Sequence, residues 1–146
     1  MIINDLQPIS NVEDNGFRAL ITGIEPYYTM PSRFTFANSF LPQKFRQKTE
    51  KLKVLLSKTT SVAITTDAWT AQHSQTGYIG YTVHFITEYW GLYSSLLKCH
   101  FDESHTAQNL KDDLCNVINE WDILKKVYTI TTDNAANIKA AIKLAE

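Results

Sequence analysis

Several residue types that mark common protein classes are scarce in this sequence. Its 146 residues include two cysteines, Cys99 and Cys115, which form no close pair. A disulfide framework or a structural zinc cluster needs more cysteines or histidines at short spacing, so the sequence indicates neither. We therefore expect no zinc in this chain and a reducing compartment, either cytosol or nucleus.

Long apolar runs and an excess of one charge are lacking as well. No apolar stretch approaches the roughly 20 residues that a membrane helix requires, so no membrane contact is expected. The 14 basic and 15 acidic residues give a net charge of −1, which provides no global attraction to nucleic acid. Any contact with DNA must therefore come from a local patch. An apolar fraction of 44% is ordinary for one globular domain of this length.

The sequence does contain one four-residue motif twice. We call Ile64–Asp67 and Ile130–Asp133 the Ile-Thr-Thr-Asp tetrads. Each tetrad closes a short β-branched run of the kind that forms a buried strand. If the two strands lie side by side and parallel, their last residues meet at one edge of a sheet, where open α/β sheets bind ligands. Two carboxylates there would repel each other unless a cation lay between them. The tetrads therefore predict a divalent-metal site at Asp67 and Asp133.

The first 60 residues favour helices. Ser10 and Glu13 have the spacing of a capping box, which predicts that a helix begins there. Ser32 predicts a second helix start, and Pro42 predicts an interruption of the helical run. A longer helix is then expected over about residues 43–57.

This longer predicted helix is rich in basic residues. A solvated helix face explains such a run most simply, but a phosphate-backbone contact also requires only such charge and no sequence readout. We retain DNA contact as a minor hypothesis for five of these residues: Lys44, Arg46, Lys48, Lys51 and Lys53.

Strand patterns begin after residue 60. The predicted elements are, in order, strands at 61–67, 78–86 and 90–99, a helix capped by Ser104 or Thr106, a strand at 127–132 and a helix at 134–145. The second and third strands should form a hairpin, and the helix before the fourth strand permits a parallel crossover. We therefore predict an α+β chain, with a helical lead segment at residues 1–60 and a mixed β-β-β-α-β-α domain at residues 61–146.

Particular motifs within this order resemble a known family. They are Thr66-Asp67-Ala68-Trp69, Tyr81-Thr82-Val83-His84-Phe85-Ile86, His105-Thr106 and Thr132-Asp133-Asn134-Ala135-Ala136-Asn137. Together they resemble the ribonuclease-H-like catalytic domain of hAT-superfamily DNA transposases and of the BED-type zinc-finger proteins derived from them. Pro31-Ser32-Arg33 resembles part of the helical stretch that precedes this domain. The resemblance spans nearly the whole chain.

This resemblance implies a metal-dependent enzyme that cleaves and transfers DNA strands in the nucleus. It implies Mg²⁺ or Mn²⁺ held by Asp67 and Asp133 as catalytic acids, DNA as the partner, and homo-oligomers formed through parts outside this chain. A third acid, a glutamate, completes the site in such transposases beyond a long helical insertion. We do not assign that role to Glu146. We expect the chain to correspond to the first half of a catalytic domain and to be inactive by itself, so the resemblance alone does not establish an enzyme.

Three alternatives stay open at this point. Asp133 has the position of a helix N-cap, and Asp67 that of a turn residue. A DNA-binding or regulatory protein of transposase ancestry would keep the fold without catalysis. An unrelated ribonuclease-H-like metal nuclease would need an acid on the helix after the third strand. Asp112 and Asp113 lie there, but their neighbours Leu110 and Leu114 predict that both acids face solvent.

Overall fold

The computed structural model describes residues 7–70, 77–101, 106–133 and 136–145. Its elements, in chain order, are a 3₁₀ turn Ile9–Glu13, α1 (Asn15–Ile24), α2 (Arg33–Thr35), a π-helical turn Phe36–Phe40, α3 (Leu41–Lys58), β1 (Val62–Thr70), β2 (Gly77–Ile86), β3 (Leu92–Phe101), α4 (Ala107–Glu120), a 3₁₀ turn Leu124–Lys126, β4 (Val127–Thr132) and α5 (Ala136–Ala145). This order confirms the predicted α+β class. The chain divides into two compact units, Met1–Lys51 and Leu52–Glu146, while the domain boundary at residue 60 remains a prediction.

The start of the first helix differs from the predicted capping box. Ser10 lies inside the 3₁₀ turn, and Asp14 precedes α1 without a side-chain capping bond. The turn is closed by the Asp14 N–H, which donates to the Asn11 carbonyl at 3.2 Å. Arg18 Nε donates to the carbonyl of the buried Val12 at 2.8 Å. The capping-box prediction was wrong because the tight turn that buries Val12 uses the residues that the box would have needed.

Helical structure continues through Pro42, so the predicted interruption was wrong too. Ser32 Oγ accepts from the Thr35 N–H at 3.2 Å, which confirms the second helix start. The π-helical turn then leads directly into α3, and the Leu41 N–H donates to the Phe36 carbonyl five residues earlier. A proline ring normally clashes with the carbonyl four residues before it. The wider π-helical turn relieves that clash and lets α3 begin at Leu41.

The second unit is built on a four-stranded mixed sheet in the order β3-β2-β1-β4. β2 pairs antiparallel with both β1 and β3, whereas β1 and β4 are parallel neighbours. These pairings confirm the predicted hairpin and the predicted parallel placement. Contrary to the prediction, β1 does not end at Asp67. It continues to Thr70 because Asp67–Thr70 pair with Gly77–Gly80 of β2.

A tight turn joins β2 to β3. The Thr87 N–H donates to the Gly91 carbonyl at 3.0 Å, and the Trp90 N–H donates to the Thr87 carbonyl at 2.9 Å. Trp90 has a φ of 61°, so it belongs to the turn, and β3 begins at Leu92 rather than at residue 90 as predicted.

The core of the second unit lies between one face of the sheet and helices α4 and α5. It includes the apolar stripes Ile79, Tyr81, Val83 and Phe85 of β2 and Leu110, Leu114, Val117 and Ile118 of α4, together with Trp121. Burying each large apolar side chain contributes about 1.5–3 kcal/mol. Thr106 Oγ1 accepts from the Asn109 N–H at 3.3 Å and caps α4, as predicted. The alternative cap Ser104, and Asn134 at the predicted start of the last helix, lie outside the described residues.

Lys126 joins the end of α3 to the start of β4. Its Nζ donates to the carbonyls of Leu56 at 2.6 Å and Ser57 at 3.0 Å. A cation at this position satisfies carbonyls that the helix leaves open and complements the negative end of the helix dipole. The link lies next to the point where the parallel β1–β4 pair begins, since Val127 pairs with Val62.

Candidate metal and nucleic-acid site

The parallel register of β1 and β4 brings the two tetrads together in matching positions. Ile64 pairs with Ile130, and Thr66 pairs with Thr132. Asp67 and Asp133 each follow the last of these paired residues. Because neighbouring strands lie about 4.8 Å apart, the two aspartates occupy adjacent positions at one edge of the parallel pair. The structure therefore brings together the two acids that the sequence singles out.

Asp67 lies on the exposed side of a rigid strand. It pairs with Gly80 of β2 and is exposed, whereas Thr66 before it is buried on the helix side. Strand alternation therefore places Asp67 on the opposite sheet face. Within the described residues, no side-chain hydrogen bond of Asp67 is seen. Its carboxylate is available to a ligand, and the strand on both sides limits its movement.

Asp133 lies one residue beyond the end of β4 and is exposed. Thr132 Oγ1 donates to Asp133 Oδ1 at 3.1 Å, which orients the carboxylate. α5 begins at Ala136, and the two residues between lie outside the described residues. The N-cap alternative for Asp133 therefore stays open beside the metal-ligand prediction.

The carboxylate oxygens of Asp67 and Asp133 are the type of ligand that a hard divalent cation prefers. Mg²⁺ takes oxygen ligands and keeps several waters, so it can be held by one or two carboxylates. Among the residues that the structure describes, no group of three or more His, Cys, Asp or Glu side chains could hold a metal ion. Glu146 lies outside the described part of the chain. The residues present therefore suit a weak site for a divalent metal rather than a closed one.

Asp113, predicted to face solvent, instead faces the sheet. Its Oδ1 lies 2.8 Å from Lys98 Nζ in β3. Its Oδ2 lies 3.4 Å from His100 Nε2, without hydrogen-bond geometry. The prediction was wrong because Lys98, distant in sequence, offers a partner on the helix side of the sheet. Asp113 thus pairs with a cation two strands from Asp67, which weakens the case for the unrelated-nuclease alternative.

Trp69 packs beside the strand that contains Asp67. Its ring stacks on Tyr78, with the ring centroids 5.7 Å apart. Gly80 lies beneath the indole, where an added Cβ would approach Trp69 Cζ3 to 3.4 Å. A Cβ at that distance would be in ordinary van der Waals contact with the ring.

A hydrogen-bonded row of polar side chains crosses the same sheet face. His84 Nε2 lies 2.9 Å from Thr65 Oγ1, and His84 Nδ1 lies 2.7 Å from Ser94 Oγ. Thr65 and Asp67 alternate onto one face of β1. The two partners of His84 follow from the register of three strands and had no sequence signal.

The five basic residues considered for DNA contact are exposed on α3. Lys44, Lys48 and Lys51 have the i, i+4, i+7 spacing of one helix face, whereas Arg46 lies on another. Lys53 belongs to the second unit and lies over the Trp121 ring, 6.0 Å from its centroid. The basic residues therefore do not form one stripe, because Lys44, Lys48 and Lys51 share one helix face, whereas Arg46 and Lys53, seven positions apart, share another.

No helix in the described part of the chain is both long enough and apolar enough to span a membrane.

Comparison with known proteins identifies relatives for nearly the whole chain. A Zea mays protein with the provisional name AC transposase is 28% identical over 143 residues, or 97% of this chain and 18% of its own length. The zinc finger BED domain-containing protein RICESLEEPER 3 of Oryza sativa subsp. japonica is 25% identical over 92% of this chain and 18% of its length. Zinc finger BED domain-containing protein 6 of Mus musculus is 26% identical over 98% of this chain and 16% of its length.

The chain thus spans less than a fifth of the length of these relatives. The family model described as the ZBED1 RNase-like domain matches residues 65–146, which include most of β1, all elements from β2 to α5 and both tetrad aspartates. The four-stranded mixed sheet agrees with an RNase-like fold. The chain therefore belongs to the ZBED1 RNase-like domain family, which relates it to the hAT transposases and the BED zinc-finger proteins derived from them.

Proposed function

We propose that this chain supplies two of the acids of a divalent-metal site that acts on DNA strands in a transposase-type reaction. The observation behind the proposal is the parallel register that pairs Thr66 with Thr132 and sets Asp67 beside Asp133. Two exposed carboxylates at adjacent positions are unfavourable without a cation.

In this proposal the two acids have unequal roles. Asp67 lies in β1, which is paired on both sides up to Thr66, so it provides the fixed oxygen ligand. Asp133 follows β4 and is oriented by Thr132 Oγ1. A bound Mg²⁺ or Mn²⁺ would stabilise charge on the attacking and leaving oxygens of a phosphodiester. In the transposases that this chain resembles, a glutamate completes the metal site, and we assign that role to no residue of this chain. We therefore expect weak metal binding and no turnover by this chain alone.

DNA is the proposed partner and the nucleus the proposed location. Both follow from the relatives named as a transposase and as BED zinc-finger proteins. Within the chain, the exposed face with Lys44, Lys48 and Lys51 is the surface that we propose for phosphate contact, because three neighbouring cations can replace condensed counterions. Arg46 and Lys53 contribute less in this proposal, since they lie on another face of α3.

A regulatory role without catalysis is the second candidate. A Talaromyces stipitatus relative, 31% identical over 89% of this chain and 16% of its own length, bears a name describing a transcriptional regulator. A protein of that kind needs the fold and the DNA contact but not the metal site. Metal binding at the tetrad aspartates therefore separates the two candidates.

The test is a titration of the purified chain with Mn²⁺, in which the electron paramagnetic resonance signal of the free ion measures how much is bound. We expect one weak site, with a dissociation constant on the order of 10⁻³ M, that is lost in both Asp67→Asn and Asp133→Asn. Asp122→Asn is the matched control, because Asp122 is an exposed aspartate in a left-handed turn that asparagine also tolerates. Binding that survives in both tetrad variants would refute the metal site and favour the regulatory candidate.

A further inference from the structure

The turn between β2 and β3 holds a tryptophan in a conformation that tryptophan rarely adopts. Trp90 has a φ of 61°, in the left-handed region. In three-residue hairpin loops this position usually belongs to glycine, because a Cβ is strained there. Gly91 follows directly, yet it does not take the left-handed position. The side chain of Trp90 is 88% exposed, so its packing within the described chain does not offset the strain.

Other exposed apolar side chains surround Trp90. Tyr89 in the same turn and Tyr128 in β4 are each 85% exposed, and Ile86 and Leu92 at the adjoining strand ends are also exposed. Beside them lies a cleft of about 670 Å³. The hairpin end, the segment from Lys58 to Ala63 and Tyr128 form its walls. The turn projects as an aromatic ridge directly next to this concavity.

The exposed apolar area of these five side chains is large. An aromatic side chain buries about 150–250 Å² when it is covered, so the five side chains together expose on the order of 800 Å². The largest patch on a typical monomer is about 300–600 Å². About 800 Å² is the area that each partner contributes to a standard protein–protein interface. The patch therefore has the size of one side of an interface.

The charges around the cleft favour a second copy of the chain as the partner. Lys58 and Glu88 both line it, so the patch has one cation and one anion. A nucleic acid would require an excess of cations. Under a twofold axis, Lys58 of each copy can approach Glu88 of the other, and a ridge beside a cleft can be exchanged reciprocally. The surface is thus complementary to itself in both shape and charge.

We propose that the Thr87–Gly91 turn and the adjoining cleft form a twofold interface, in which Trp90 of each copy occupies the cleft of the other. The hairpin holds Trp90 outward at the cost of backbone strain, and dimer formation buries it. This surface lies at the opposite end of β1 from Asp67, so the proposal does not depend on the metal site.

The test is sedimentation velocity on the 146-residue chain over a range of concentrations, with the melting temperature measured in parallel. We expect a reversible dimer of twice 16.7 kDa. Trp90→Gly should raise the dimer dissociation constant at least tenfold without lowering the melting temperature of the monomer, because glycine relieves the left-handed strain. Tyr27→Ser is the control, since Tyr27 is an exposed aromatic residue of the other unit, and it should leave dissociation unchanged.

A charge exchange gives an independent check. Lys58→Glu and Glu88→Lys should each weaken the dimer severalfold, and the double variant should restore dissociation to near the original value. A wild-type chain that stays monomeric up to its highest soluble concentration would overturn the proposal. So would a dimer that Trp90→Gly leaves intact. A monomer whose tryptophan fluorescence is quenched by a single-stranded oligonucleotide, but not in Trp90→Gly, would assign the cleft to nucleic acid instead.

Discussion

The two Ile-Thr-Thr-Asp tetrads have the same residues but different surroundings. In β1, which has a neighbour on each side, Ile64 is fully buried and Thr66 is 3% exposed. In β4, an outer strand of the described sheet, Ile130 and Thr132 are only partly buried. The local sequence thus specifies a strand and its register, whereas the position in the sheet decides how much stability each residue contributes.

The aspartates differ in the same way. Asp67 lies inside a strand that continues to Thr70, and Asp133 lies where its strand has ended. One half of the proposed metal site is therefore built into the centre of the sheet, and the other half is attached at its margin. Three pairs of substitutions at matched positions can test this contrast, beginning with the pair that should have the largest effect.

Ile64→Ala should reduce the free energy of unfolding far more than Ile130→Ala. Removing a fully buried isoleucine leaves a cavity between sheet and helices and costs about 3–4 kcal/mol, whereas the partly buried site should lose about 1–2 kcal/mol. Urea denaturation followed by circular dichroism measures both. Equal losses would show that β4 is as well covered as β1 and would remove the contrast.

Thr66→Val and Thr132→Val should change stability by different amounts. Thr66 Oγ1 is buried without a hydrogen-bond partner among the described residues, so a valine of similar shape should stabilise the fold by about 1 kcal/mol. Thr132→Val removes the bond to Asp133 Oδ1 at a partly exposed site and should change stability by less than about 0.5 kcal/mol. The same urea experiment applies. A destabilised Thr66→Val would indicate that this hydroxyl has a partner after all.

Asp67→Asn and Asp133→Asn should have the smallest effects on stability. Without metal, removing one of two adjacent carboxylates relieves repulsion, so neither variant should melt below the wild type. Measurements in chelator at low salt should show any increase best, because added salt screens it. A drop of several degrees in either variant would show that the acid is structural and would contradict the metal-site proposal.

Much of the sheet could be predicted because its signals are local. The β-branched runs and the α4 stripe follow from residues close in sequence, and the repeated tetrad suggested which strands are neighbours. The errors occurred where a distant or unusual partner intervened. Pro42 is tolerated because a π-helical turn precedes α3. Asp113 faces inward because Lys98 of β3 lies within ion-pair distance of its carboxylate.

In the candidate site, too, some features could be predicted from the sequence and others could not. Asp67 and Asp133 could be identified from the tetrads, since both the residues and their strand-end positions are visible in sequence. The contacts of His84 and Lys126 could not, because their partners are set by strand register and by the end of α3. The left-handed conformation of Trp90 could not be predicted either, because tryptophan is not a residue type that indicates this conformation.

The Lys126 link also has a consequence for the order of folding. It joins residues that are 70 and 69 positions apart, and such distant contacts form only after the entropy of closing a long loop has been lost. β1 to β3 are consecutive antiparallel strands and can form locally, whereas β4 must wait until α4 has returned the chain to the sheet. The strand that leads to Asp133 is therefore expected to join last. The aspartate pair would then exist only in molecules that have completed the slowest step of folding.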